Sequence, residues 1–322
     1  MFKTVIKVPT IRDDDNGYSA ILEIAESILS NPKRHFDFDF SNCAKIEHNG
    51  TVMLGGLARY VDYQNGLSSN AIAGLFNTKA FSSYGVMFLV DTMRSLVRDS
   101  LINNNFLSHF SRSGYEGYRA GGYIGYREHN NHLNDDNIAS HLRDQWLSSD
   151  KLNLSAQLKE AIVSRIFEIF MNAYGHGVSV QRIEKLGVYS CGQYDKKEKK
   201  LNLSVVDFGP GIVQNVRDNV SGIVDSTDAM RWALMKGNTT RTDSDGLNIP
   251  RGLGFDLLRE FVALNKGEMR VYSNDVQVLT SNDDLFEVKK SGYNFSGTLV
   301  SIKINCDNRH YCFESENQTR YF

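Results

Sequence analysis

A chain of 322 residues is long enough for two ordinary domains whose cores need no covalent staples. A formal net charge of -2 gives no global attraction to nucleic acid or to an anionic membrane, and four cysteines in no metal-ligand spacing point to neither a disulfide framework nor a zinc site. No apolar run approaches the ~20 residues of a membrane-spanning helix, and the first residues lack the basic-then-apolar pattern of a signal peptide, so a reducing cytoplasm is the expected compartment.

Phe2 to Val8 reads as a strand, and the acidic stretch from Arg12 to Gly17 behind it as a turn. From Tyr18 to Leu29, Ile21, Ile24, Ala25 and Ile28 recur at helical spacing until Asn31-Pro32 ends the pattern. HFDFDF alternates aromatic and polar residues and predicts a half-buried strand. TVMLGGLARYVDY has helical spacing, YGVMFLVD reads as a strand, and Thr92 to Leu101 as a helix. Strands alternating with helices predict a small α/β layer with a largely parallel or mixed sheet over residues 1–110. Residues 111–150 read as a linker with one strand, Gly122 to Glu128. Arg112, Arg119 and Arg127 among tyrosines and glycines are compatible with a nucleic-acid stacking surface, but the acids Glu116, Glu128, Asp135 and Asp136 favour the plain linker. His129 and His132 lack a second pair of metal ligands and read as a solvated turn.

Asp150 to Leu154 supplies helix-start residues for a long apolar-periodic helix. Along it Glu168, Asn172 and His176 recur every four residues, which brings a carboxylate, an amide and an imidazole to one face. The lysine-rich run Lys196 to Lys200 reads as a charged hairpin turn. LNLSVV then reads as a buried strand delivering Asp207 into a Phe-Gly-Pro-Gly turn, where Gly209 and Gly211 allow the backbone to approach a ligand. The polar span Lys236 to Gly254 has the length of a lid or binding loop and offers Lys236, Asn238, Thr239 and Arg241 at one edge and Arg251 at the other. The turn Gly252-Leu253-Gly254 opens a periodic helix, Phe255 to Leu264, whose first amides and positive dipole end suit an anion such as phosphate.

In this order, RIFEIFMNAYGHG, VVDFGPGI and RGLGFDLL resemble the nucleotide-binding domain shared by gyrase, the heat-shock chaperone, sensor histidine kinases and mismatch-repair ATPases, the GHKL family. The resemblance runs from about Leu154 to about Asn305. It takes in GEMRVYS as the family's next strand and SGTLVSIKI as its closing strand, with Gly297 and Thr298 matching a Gly-Thr pair. It implies an α+β sandwich of the Bergerat ATP-binding type over residues 151–305, with helices on one face of a mixed sheet, and a tail over 306–322. ATP and Mg²⁺ are the implied cofactors. Glu168 then corresponds to the general base that polarises water, and Asn172 to the amide whose oxygen completes the shell of Mg²⁺. Asp207 matches the carboxylate that accepts a hydrogen bond from the exocyclic amino group of adenine, and Thr298 the residue that backs that contact. Gly209 and Gly211 would wrap base and ribose, while Lys236, Thr239, Arg251, Gly252 and Gly254 would face the phosphates. His176 follows the asparagine by four, as in anti-sigma factor serine kinases, and either contacts phosphate or caps the helix. Asp256 departs from the family pattern, standing where a small or apolar residue is usual.

The first 110 residues resemble, in the order of their elements, a STAS domain, the fold of anti-sigma factor antagonists. Ser41 and Thr51 are nearest to that family's phosphorylated position, but neither stands in its helix-start context, so only the fold expectation is carried over. The expected function is a Mg-dependent ATP-binding protein that hydrolyses ATP and uses lid closure to regulate a protein partner or a homodimer interface. The alternatives are a serine/threonine protein kinase of the anti-sigma factor type and a nucleotide-gated binding module without significant hydrolysis.

Overall fold

The computed structural model describes residues 3–69, 85–110, 123–129, 135–175, 186–235, 238, 255–280 and 286–317. It is of mixed α and β structure with several sheets. Strands β1 (Lys3–Lys7), β2 (His35–Asp39) and β3 (Val86–Leu89) form a parallel sheet in that order. Helices α1 (Asp15–Leu29), α2 (His48–Ser69), α3 (Ser95–Asn103) and α4 (Phe106–Phe110) accompany them. The Asp14 side chain accepts from the Gly17 amide at 2.8 Å. This cap starts α1 inside the stretch that the sequence predicts as a turn, because it satisfies one of the amides a new helix leaves open. Strand β2 also differs from its predicted half-buried state. As the central strand it buries Phe36, Asp37, Phe38 and Asp39 alike, and Asp39 is met by the Lys7 ammonium at 2.5 Å and the Ser41 amide at 2.8 Å.

The second sheet has the order β4-β6-β7-β9-β8, from β4 (Tyr123–His129), β6 (Val188–Asp195), β7 (Lys200–Asp207), β9 (Phe286–Asn305) and β8 (Glu268–Thr280). Every pairing in it is antiparallel, where a mixed sheet is the sequence expectation. The lysine-rich turn between β6 and β7 is a hairpin connection, and so tight a link permits only antiparallel neighbours. Ahead of α6 (Ala156–Gly175), Asn153 and Leu154 do not begin the helix. They form β5, paired in parallel with β10 (His310–Tyr311), and the cap is Ser155, whose hydroxyl accepts from the Leu158 amide at 3.1 Å. His129 is the last residue of β4 rather than part of a solvated turn. Its Nε2 bonds Ser190 Oγ at 2.9 Å and its ring stands edge-on to Phe170.

Alternation along β7 sends its side chains into two cores. Leu201, Leu203 and Val205 join the core beneath α6, α7 (Ile212–Asn219), α8 (Ser226–Leu234) and α9 (Phe255–Leu264). Val206 and the following Phe208 join the core shared with α1 and α2. The face toward α2 is partly polar. There Ser204 Oγ bonds His48 Nδ1 at 2.8 Å and Ser301 Oγ at 2.9 Å, and Lys303 pairs with Asp13 at 2.8 Å. Helix α2 lies close to the sheet because Gly55 and Gly56 carry no side chain. A Cβ at Gly55 would stand 2.4 Å from the Tyr126 hydroxyl, and one at Gly56 2.5 Å from the Phe208 ring. Among the described residues no helix is long and apolar enough to cross a membrane.

Two alanine substitutions on α2 therefore have opposite signs. Gly55→Ala overpacks the sheet contact and lowers stability by ~1–3 kcal/mol. Gly66→Ala, with nothing within 4 Å of its Cβ, raises stability by up to ~1 kcal/mol through helix propensity. Urea unfolding midpoints of the two variants check both signs.

Candidate functional site

Strand β7 ends at Asp207, which stands in register with Thr298 on β9. Past it the chain turns sharply, and the Gly209 amide donates to Asp207 Oδ1 at 2.8 Å. Side chains of β8 hold this turn from beneath. Asn274 Nδ2 donates to the Pro210 carbonyl at 2.8 Å, and Ser273 Oγ accepts from the Ile212 amide at 2.7 Å while donating to the Gly297 carbonyl at 2.8 Å. Two glycines are obligatory here. Gly211 has φ +85°, and a Cβ on it would meet Asn274 Oδ1 at 2.3 Å; Gly297 has φ +143°, and its Cβ would meet the Asp207 carbonyl at 2.2 Å. Gly209, Gly211 and Thr298 are thus brought together around Asp207. Ser273 and Asn274 are the members that sequence reasoning missed. Their signal was a Ser-Asn pair directly after the alternating charged and apolar residues of GEMRVY, with an asparagine suited to the positive φ it adopts at the strand irregularity.

Asp207 is half-buried, with Val206 and Phe208 buried on either side. Burial pushes its carboxyl up to about 7, and hydrogen bonds from Gly209 and Thr298 offset only part of that rise. A carboxyl poised there near neutrality is ready to ionise when a hydrogen-bond donor arrives.

On α6, Ile162, Ile166, Ile169 and Phe170 face the core. Glu168 and Asn172 lie one turn apart on the flank of that buried stripe, both half-buried. The apolar neighbours of Glu168 draw the helix inward, but the helical rotation leaves Glu168 itself at the edge of the buried face. Its carboxylate pairs with Arg165 Nη1 at 2.5 Å, with side chains 34% and 42% exposed, so the pair is of the surface kind and contributes ~1 kcal/mol or less. The Asn172 side chain has no hydrogen-bond partner among the described residues. Helix α6 packs on β6, β7 and α9, so Glu168, Asn172 and the helix after the third glycine-rich stretch belong to one layer over one sheet.

Asn238 stands just past α8, where its Nδ2 donates to the Trp232 carbonyl at 2.8 Å. His176, Lys236, Thr239, Arg241, Arg251, Gly252 and Gly254 lie outside the described residues. Among the described residues no group of three or more His, Cys, Asp or Glu is arranged to hold a metal. The donor that α6 offers is the amide oxygen of Asn172, a hard ligand of the sort magnesium accepts alongside phosphate oxygens and water.

No protein-family model matches the chain, and no curated protein sequence matches it.

The raised Asp207 carboxyl has a stability consequence. The folded state holds this proton more tightly than the unfolded chain, so stability is lost as pH rises from the ordinary carboxylate range of ~4 toward about 7. Asp207→Asn cannot ionise and escapes that loss. Its melting temperature relative to the parent protein climbs between pH 4 and pH 8 and then levels off, as read by thermal unfolding across the range.

Proposed function

We propose that this chain binds an adenine nucleotide with Mg²⁺ on the side of the antiparallel sheet that carries α6 and α9 and hydrolyses it. In this reading residues 151–305 are a GHKL-type, Bergerat-fold ATP-binding domain, and residues 1–110 a STAS-like domain. The observation that carries it is the cradle around Asp207. A half-buried carboxyl at a glycine-rich turn, its own backbone braced by Ser273 and Asn274, suits the exocyclic amino group of adenine. Guanine presents an oxygen in that place and would leave the ionised acceptor unpaired.

Glu168 is the proposed base. It takes a proton from water as the water oxygen bonds to the terminal phosphorus and the bond to the leaving ADP oxygen breaks, giving ADP and phosphate. Magnesium, when bound, neutralises phosphate charge, and Asn172 is the residue that would hold it. Phosphate contacts from His176, Lys236, Thr239, Arg251, Gly252 and Gly254, closure of a lid over 236–254, and control of a protein partner or a homodimer by that closure rest on the family resemblance. One observation favours a second reading, binding without turnover: Arg165 already occupies a Glu168 oxygen.

Incubation with γ-labelled ATP separates the readings. Free phosphate supports hydrolysis, saturable binding without release supports the gated module, and label on protein supports a kinase. Glu168→Ala is expected to abolish phosphate release and keep ATP binding, whereas Asp207→Ala weakens binding by about tenfold or more. Adenosine has no phosphate to titrate, and its affinity should fall as pH drops below about 7 and Asp207 takes its proton. A calorimetric titration with Mg-ATP that shows no binding would overturn the proposal.

A further inference from the structure

Phe208 is the last side-chain anchor ahead of the glycine-rich turn. Strand β7 ends at Asp207, and Phe208 directly after it is 4% exposed. Its ring is held by two elements far apart in the chain. From the sheet come Phe295, with ring centroids 5.7 Å apart, and Tyr189 at 6.1 Å, both edge-on. From α2 come Tyr60, whose ring lies 5.5 Å away, and Gly56, where a Cβ would stand 2.5 Å from the Phe208 ring. Alternation turns the Asp207 side chain the other way, toward the core covered by α5 (Asp135–Ser140), α6 and α9. The carboxyl and the anchoring ring thus sit on opposite sides of one short stretch of backbone, so a displacement of the ring carries the carboxyl with it.

Helix α2 is placed to transmit such a displacement. At its first residue, His48 Nδ1 bonds Ser204 Oγ on β7 at 2.8 Å, and further along Tyr60 meets Phe208. The stretch from His48 to Tyr60 spans ~18 Å as helix, and that from Ser204 to Phe208 ~13 Å as strand. Helix α2 therefore runs along β7 toward the cradle and touches it at both ends of that reach. Val52, Leu57 and Val61 on α2 are buried in the same core as Ile28 of α1 and Phe38 of β2. The helix is thereby fastened to the amino-terminal half while one of its rings holds the neighbour of Asp207.

We propose that Tyr60 is a positioning residue of the base-binding site: by holding Phe208 from α2 it fixes Asp207 where the exocyclic amino group is met, and the amino-terminal half thereby sets nucleotide affinity. This rests on the adenine-nucleotide reading of the Asp207 cradle. Without the Tyr60 ring only a fraction of the molecules holds Asp207 in the binding position, and the apparent affinity falls by that fraction.

The test uses the full chain, with adenosine and inorganic tripolyphosphate as calorimetric probes. Tyr60→Ala should weaken adenosine binding about three- to tenfold, the range an aromatic pair contact supplies, and leave tripolyphosphate binding unchanged. Tyr60→Phe keeps the ring and should behave as the parent. A second readout needs no nucleotide: the titration of the Asp207 carboxyl followed by carbon-13 NMR. Burial holds that carboxyl at about 7, and Tyr60→Ala lets water reach the turn. Its midpoint should therefore move toward the ordinary carboxylate value of ~4. Tyr60→Phe should not move it, nor should Ile28→Val, which opens a one-methyl cavity in the same core from α1. A parent protein that binds no adenosine, with the Tyr60→Ala titration still lowered, would end the nucleotide reading and keep the link between Tyr60 and Asp207. An unmoved titration in Tyr60→Ala, an equal drop in Ile28→Val, or equal weakening of adenosine and tripolyphosphate would each overturn the positioning role.

Discussion

Strand β7 has no solvent face, and much else in the molecule follows from that. Leu201, Leu203 and Val205 enter one core and Val206 the other, so the sheet is a shared wall between the helices that follow it in the chain and those that precede it. A wall buried on both sides must satisfy every polar atom internally, since an unpaired buried group costs ~1–3 kcal/mol. The protein meets this requirement in large part with partners distant in sequence, leaving His48 Nε2 and Asn202 Oδ1 without a hydrogen bond among the described residues. His48 reaches Ser204, Trp146 donates to the Asn202 carbonyl at 3.0 Å, and Lys303 reaches Asp13. Burial pushes the Asp13 carboxyl up, but its contacts with His48 and Lys303 outweigh this and hold it well below the usual carboxylate range.

This shared wall also sets the position of Asp207. The next residue, Phe208, is anchored in the core beneath α2, against Tyr60, Tyr189 and Phe295. Val206 before it is buried on the same side. Asp207 is thereby pinned between two anchors at the lip of the sheet, while Ser273 and Asn274 hold the turn beyond it. The amino-terminal half thus contributes to the candidate site through the packing of the residue next to the carboxylate. Contact between α2 and that aromatic cluster depends in turn on two glycines.

Helix α6 shows how a small rotation changes chemistry. Ile169 and Phe170 are committed to the core, and Glu168 beside them is left on the flank, open enough to pair with Arg165 and, one turn on, to share its side with Asn172. A side chain at the edge of the buried face stays open to water, whereas one turned fully into the core loses that contact.

Local patterns in the chain carried a good deal by themselves. The helical spacing of α1, α2, α6 and α9, the buried run of β7, the hairpin at the lysine cluster and the glycine turn after Asp207 are all written in neighbouring residues, because backbone conformation and amphipathic period are short-range properties. The same patterns placed Glu168 and Asn172 on one side of one helix. Tertiary structure decided the rest. Alternating residues in HFDFDF could not reveal that β2 is central and buried on both faces, nor could His129 reveal that it ends an edge strand against Phe170. Ser273 and Asn274 brace a turn some sixty residues earlier, and the carboxyl of Asp207 rises only because distant segments remove water from around it. Desolvation and close approach belong to pairs of surfaces, and such pairs are set by residues far apart along the chain.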